Sequence, residues 1–186
     1  FPFVEYLTTG VLSFPLTLFW FLIIINAVNL IDGLDGLAAG VSLLVCLILT
    51  LSGCLAKEFV VAAAFACLSG AILGFLKYNF NPATIFMGDS GSYFIGYMIA
   101  SLSLLGSIKG HTAATLFVTL LALGVPLADT VIATLRRYML GQKIFSPDKA
   151  HFHHQLLKQG FSHKNAVLLL YLVTFSLCMA AVLVVY

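Results

Sequence analysis

Charge is what this sequence has least of. Of 186 residues only 9% are Asp, Glu, Lys or Arg, against roughly a quarter in ordinary water-soluble domains. That deficit, beside a hydrophobic content of 61%, excludes a globule with a solvated surface and points to a chain that crosses a membrane several times. The net charge is +2 and no basic run with interleaved aromatics occurs, which speaks against nucleic acid as a partner. The few cysteines (Cys46, Cys54, Cys67 and Cys178) lie in apolar runs without CxxC spacing. They read as small core residues and say nothing about redox compartment. The opening FPFVEY has no basic segment of a cleavable signal peptide and no initiator Met, so the chain reads as a piece of a longer protein. No internal repeat or low-complexity linker divides it, and residues 1–186 are expected to form one transmembrane catalytic domain.

What is there is apolar segment after apolar segment. Six approach the length of about 20 residues that a membrane-crossing helix needs: Val11–Val28, Leu37–Leu55, Phe59–Leu76, Tyr93–Ile108, Thr112–Leu135 and Ala166–Tyr186. The expected fold is therefore an all-α, polytopic membrane helix bundle. Pro126 is placed to kink the fifth segment, and Gly70, Gly74 and Gly96 suit close helix contacts. The connectors after the first, third and fifth segments carry Lys77, Arg136, Arg137, Lys143, Lys149, Lys158 and Lys164, whereas the opposite ones carry Lys57 and Lys109. The richer side is assigned to the cytoplasm.

Three polar motifs fall on that side. In NAVNLIDGLDGLAAG, Asn26, Asn29, Asp32 and Asp35 recur at steps of three where an apolar run ends. Two Asp-Gly pairs supply turn chemistry. Either this is an Asx-type turn between two helices, or it is an array of carboxylates and amides aimed at a cation or polar substrate. In KYNFNPATIFMGDSGS, Asp89 is flanked by Gly88 and Ser90-Gly91-Ser92; such small neighbours let a ligand approach the carboxylate and the nearby N–H groups. A Gly-Asp turn with Ser92 as helix cap is the plain alternative. Phe86 is a stacking face for a base or a membrane anchor. In SPDKAHFHHQLLKQGFS, Ser146, Pro147 and Asp148 start a helix that Gly160 can end. His151, His153 and His154 would stand on it without the closed ligand set zinc needs, so contact with phosphate or proton handling fits better. Asp129 is placed to pair with Arg136 or Arg137.

Carboxylates and an amide oxygen are hard donors, suited to Mg²⁺ with phosphates. Phosphoryl transfer asks a protein mainly for positioning and charge neutralisation. In a membrane setting, one substrate would be a lipid.

The three motifs together, NAVNLIDGLDGLAAG, YNFNPATIFMGDSGS and the HxHH of DKAHFHHQLL, resemble the polyprenyl-phosphate N-acetylhexosamine-1-phosphate transferases. That family includes the enzymes initiating teichoic acid, O-antigen and related envelope polymers, and the phospho-MurNAc-pentapeptide transferase. The resemblance implies a reaction at the cytoplasmic face of a bacterial plasma membrane. A UDP-HexNAc and undecaprenyl phosphate give undecaprenyl-diphospho-HexNAc and UMP, with Mg²⁺ or Mn²⁺ as cofactor. Its partners would be the UDP-sugar, undecaprenyl phosphate, the lipid bilayer and, in a homodimer, a second copy.

Carried over by motif, Asn29 and Asp89 resemble the metal or diphosphate contacts, and Asp32 faces the same cavity. Gly33, Leu34, Asp35, Asn79 and Phe86 resemble the nucleoside pocket, with Phe86 stacking on uracil. His151, His153 and His154 resemble the cluster near the sugar phosphate, and HxHH favours the HexNAc branch, with N-acetylglucosamine as sugar, over the MurNAc-pentapeptide branch. The family's adjacent Asp-Asp pair in an early loop is absent here, and the family has ten or more spans, so the chain looks like a C-terminal part. The rival of another class is a proton- or metal-coupled transporter, which would place its polar groups near the bilayer midplane.

Overall fold

The computed structural model describes Gly10 and residues 12–106, 112–139 and 152–186. Among them regular structure is entirely helical: α1 Ser13–Leu30, α2 Leu37–Leu55, α3 Phe59–Asn79, α4 Gly88–Gly106, α5 Thr112–Ala122, α6 Gly124–Met139, α7 Phe152–Lys158 and α8 His163–Val185. All six apolar segments are found as helices, the fifth as the pair α5 and α6. Among the described residues four helices (α1, α2, α3 and α8) are long and apolar enough to cross a membrane, and the bent pair α5 and α6 passes the same test only when taken together, as a broken span or a re-entrant loop. The expected fourth segment is not among them. Its helix, α4, begins at Gly88, so its first turn carries the polar GDSGS in place of apolar residues.

The break in the fifth segment bends it by 63°, and it lies at Leu123, just upstream of Pro126. Proline has no N–H to donate, and its ring crowds the carbonyl four residues back, which here is that of Ala122. The helix therefore breaks before the proline and restarts at Gly124.

The bundle is organised around α2, which packs against α3, α8, α5, α4 and α1. Val41, Val45, Cys46 and Leu49 of α2 are buried against Ile24 and Val28 of α1, Phe65 of α3, Ile99 of α4 and Val167 of α8 within one hydrophobic cluster. Large apolar side chains such as Phe14, Leu18, Phe19, Leu73, Leu172 and Phe175 are exposed on the outside, as suits helices that face lipid. Hydroxyls within the spans turn back on their own helices: Thr50 donates to Cys46 C=O, Ser69 to Phe65 C=O and Thr119 to Thr115 C=O, each at 2.8 Å. That is how polar side chains are accommodated where water is absent.

Two pairings fix which ends meet. α1 and α4 run antiparallel: Trp20 Nε1 donates to Ala100 C=O at 3.2 Å and to Ser103 Oγ at 3.3 Å, and Phe21 stacks on Tyr97 with ring centroids 5.4 Å apart. Gly96 meets the α1 backbone so closely that a Cβ there would stand 2.8 Å from Ile25 Cα. α2 and α8 run parallel, joined by Tyr171 O–H to Gly36 C=O at one end and by Tyr186 O–H to Ser52 C=O, 3.0 Å, at the other. The end of α1, the start of α2, the end of α3 and the starts of α4 and α8 therefore share one end of the bundle.

The close contact expected at Gly96 is present, but that expected at Gly70 and Gly74 is not. A Cβ on either would have no described heavy atom within 4 Å, because both glycines lie on the outward face of α3.

Candidate active site

The chain leaves α1 at Leu30 and enters α2 at Leu37 through a tight turn. Asp32 N–H donates to Asn29 C=O at 3.1 Å and Leu37 N–H to Leu34 C=O at 3.0 Å, while buried Ile31 and Leu34 anchor the turn to the core. Gly36 adopts φ +80°, a conformation open to glycine at little cost. Of the two Asp-Gly pairs, the second supplies the left-handed residue.

A second loop, residues 80–87, is held against the first. The Asp35 carboxylate accepts from Asn81 Nδ2 and from the Ala83 N–H, both at 3.1 Å. Asn79, which is 3% exposed, accepts from the Gly36 N–H at 3.1 Å and donates to Ile85 C=O at 3.0 Å. The Asn81–Pro82 peptide bond is cis, and Thr84 and Ile85 N–H groups return to Tyr78 C=O. Phe86 emerges from this loop with 73% of its surface exposed.

The third component lies across the antiparallel α1–α4 contact. Asn29 Nδ2 donates to Asp89 Oδ1 and to Ser92 Oγ, each at 3.0 Å. Ser92 is buried and turns its own hydroxyl to the carbonyls of Gly88 and Asp89 at 3.1 Å, so it serves as acceptor for Asn29 rather than as the helix cap. With both amide hydrogens engaged, the Asn29 carbonyl oxygen remains as an acceptor. Asp32 lies close enough to Asp89 to feel its charge. Burial, and then the Asp89 carboxylate, hold the Asp32 carboxyl above its ordinary value of 3.8, while the Gly88 N–H pulls it the other way. Gly88 itself takes φ +64°.

Together these parts line an open cavity of about 260 Å³ whose walls are Asp32, Gly33, Leu34, Asp35, Asn79 and Phe86. Met87 and Gly88 close it on the α4 side. All six residues expected of the pocket or its rim thus border one space, and Asn29 and Asp89, expected as a pair, are bonded to each other. The polar atoms of Asn79, and one carboxylate oxygen of Asp35, are occupied in holding the loops. Asn26 stands apart from the array: it is exposed, and its Nδ2 donates at 2.7 Å to Leu22 C=O of its own helix.

His153 and His154 lie on α7, and His151 lies outside the described residues with Ser146, Pro147 and Asp148. α7 packs against α8, whose first turns are at the cavity end of the bundle. Gly160, at φ +93°, ends α7 as expected: its N–H bonds to Leu157 C=O at 3.1 Å and that of Phe161 to Leu156 C=O at 3.2 Å, a Schellman pattern. Asp129 is buried on α6. Ser92 and Tyr171 are the contributors that sequence reasoning missed. A Ser one turn after Asp89 was a readable signal; nothing marks Tyr171 within its apolar run.

Among the described residues no group of three or more His, Cys, Asp or Glu side chains is arranged to hold a metal ion. Magnesium makes a smaller demand, one or two carboxylates with water and substrate phosphates supplying the rest. Asp89, the Asn29 oxygen and the second negative charge of Asp32 match that demand.

A model of glycosyl transferase family 4 matches residues 1–107 of the chain. A probable undecaprenyl-phosphate N-acetylglucosaminyl 1-phosphate transferase of Bacillus subtilis is 45% identical over 93% of this chain and 48% of its own length. A decaprenyl-phosphate N-acetylglucosaminephosphotransferase of Mycobacterium tuberculosis is 41% identical over 86% of the chain and 44% of its own length. A phospho-N-acetylmuramoyl-pentapeptide-transferase of Thermoanaerobacter is 35% identical over 94% and 54%. The chain thus spans about half the length of the curated relatives it matches. It is a multi-pass membrane protein and belongs to glycosyl transferase family 4.

Proposed function

We propose that this chain takes part in transferring N-acetylhexosamine-1-phosphate, with N-acetylglucosamine as the sugar, from a UDP-sugar to undecaprenyl phosphate at the cytoplasmic membrane face, releasing UMP and starting a cell-envelope polymer. The observation that carries this reading is the Asn29–Asp89 pair within electrostatic reach of Asp32, which lines a cavity walled by an exposed Phe86. Nucleoside and phosphate binding need an aromatic face and hard oxygen donors at one place, and an apolar bundle around them gives a lipid acceptor access. The relatives' names and the HxHH pattern favour N-acetylglucosamine over MurNAc-pentapeptide. The grouping of polar residues at one end of the bundle, rather than midway along it, favours transfer over transport.

Asp89 and the Asn29 oxygen would hold Mg²⁺, which when bound would neutralise charge on the diphosphate. Asp32 adds negative charge that such an ion offsets. Phe86 would offer its face to the uracil, and the positive end of α4 would favour phosphates beside it. By the resemblance of the HxHH motif, His151, His153 and His154 would contact the sugar phosphate.

The test is transfer of label from UDP-GlcNAc to undecaprenyl phosphate by the intact membrane protein. Asp89→Ala should lower turnover by about two orders of magnitude or more while leaving the melting midpoint close to that of the wild type. Near-normal turnover of Asp89→Ala at low Mg²⁺ would make the carboxylate a mere turn residue and sink the reading.

A further inference from the structure

Tyr171 stands on α8 and borders no part of the cavity, yet a series of hydrogen bonds leads from it to the cavity wall. Its hydroxyl donates to Gly36 C=O, which also accepts the Gly40 N–H at 2.9 Å. The Gly36 N–H donates to Asn79 Oδ1 at 3.1 Å, and Asn79 Nδ2 donates to Ile85 C=O at 3.0 Å. Ile85 is the residue before Phe86. The central link is closed to water, since Asn79 is 3% exposed, so each of its polar groups depends on the partner it has.

The tyrosine has a built seat. A Cβ at Gly40 would fall 1.9 Å from the Tyr171 hydroxyl oxygen and 2.0 Å from Cζ, so the ring occupies the notch that a missing side chain leaves in α2. At Gly36 a Cβ would stand 3.0 Å from Phe80 Cδ2 and 3.4 Å from the same hydroxyl. Two glycines one turn apart therefore admit the phenol from one side and the second loop from the other. The left-handed φ of Gly36 belongs to a residue with wide conformational freedom, and a peptide of that kind is held in place by its bonds.

We propose that Tyr171 is a positioning residue for the nucleotide-sugar donor. Its hydroxyl, with the Gly40 N–H, braces the carbonyl side of Gly36, whose N–H side is bonded to Asn79, and so helps to set where Ile85 and Phe86 stand. The inference rests on the donor reading of the cavity given above. It separates two sets of supports: the nucleoside wall hangs on α8 and α2, whereas Asn29, Asp89 and Ser92 are held by the α1–α4 contact. Loss of the hydroxyl therefore weakens donor binding and leaves the chemistry of the filled site unchanged.

The variant is Tyr171→Phe, which keeps the ring in its notch and removes one oxygen. UMP binding is measured by calorimetry on the intact protein in detergent, beside steady-state transfer kinetics and thermal unfolding. The expected result is an affinity for UMP and a KM for the UDP-sugar weakened about three- to tenfold, the effect of one hydrogen bond, with kcat unchanged. Because the bonds act in series, Tyr171→Phe combined with Asn79→Ala should weaken binding by less than the product of the two single effects. Unchanged UMP affinity in Tyr171→Phe, or a lowered melting midpoint with KM unmoved, would overturn the inference while leaving the donor reading intact. Absence of UMP binding by the unsubstituted protein would overturn the donor reading and this inference with it.

Discussion

Replacing Gly96 by Ala perturbs the site from a distance, because Gly96 sets the spacing of α1 and α4. The new Cβ would stand 2.8 Å from Ile25 Cα and 3.4 Å from Ile24 C=O. Both are backbone atoms, so no side chain can swing aside. Carbon atoms rest comfortably at about 3.6 Å, so the helices must part by about 0.8 Å. Overpacking of this kind costs about 1–3 kcal/mol, of which the better helix propensity of Ala returns at most about 1. Asn29 lies one turn from Ile25 and Ser92 one turn from Gly96, so the 3.0 Å bonds of Asn29 to Asp89 and Ser92 would open beyond the roughly 3.2 Å limit of a sound hydrogen bond. Misplacement of about 1 Å can lower a rate by about a hundredfold. Melting of the detergent-solubilised protein and label transfer to undecaprenyl phosphate should both fall. Gly70→Ala and Gly74→Ala, with open space at their Cβ positions, should leave both intact. A Gly96→Ala protein with unaltered melting and rate, or equal damage from the two control substitutions, would refute the argument.

Asp32→Asn should raise the melting midpoint of the protein in chelator at neutral pH. The folded-state pKa of Asp32 is raised, so its favourable contribution is complete below the ordinary value and lost as pH rises through the folded value; the gap between variant and wild type should close toward pH 3.8, and a gap that widens on acidification would reverse the assignment. Phe86→Ala removes a stacking face worth about 1–3 kcal/mol per base, so the KM for the UDP-sugar should rise at least about fivefold with kcat little altered; an unaltered KM would leave Phe86 as a membrane anchor. A single cysteine at Ser90, which is exposed, in a cysteine-free background should react with an impermeant reagent from the cytoplasm alone. Reaction from the outside alone would invert the topology.

The helices were legible because their apolar runs are long, but their starts were not always so. α4 begins earlier than its first apolar residue because Gly88 can take a positive φ and Asp89 suits the positive end of a helix. Small residues in a row were a poor guide to contact: Gly96 touches α1, while Gly70 and Gly74 face away, and no local pattern distinguishes the cases. At the site, the residue types were readable from three short motifs. Their assembly was not, since Asn29 and Asp89 are separated by 60 positions and meet only because α1 and α4 run antiparallel. Asp35 and Asn79 show a further limit: their chemistry is that of ligand contacts, yet much of it is spent on joining two loops. Tyr171 was invisible because its role depends on a notch in another helix.

The parallel pairing of α2 and α8 has a mechanical consequence. A helix held at one point can swivel or slide along its neighbour; one clasped by a tyrosine at each end can do neither without breaking a bond. The clasped points on α2, Gly36 and Ser52, are about 24 Å apart at 1.5 Å per residue, most of the roughly 30 Å hydrocarbon core of a bilayer. Any piston-like stroke of α8 along α2 would have to break both bonds. Phe86, 73% exposed at the tip of the 80–87 loop, stands outside that clasp, with the α2–α8 pair as its post.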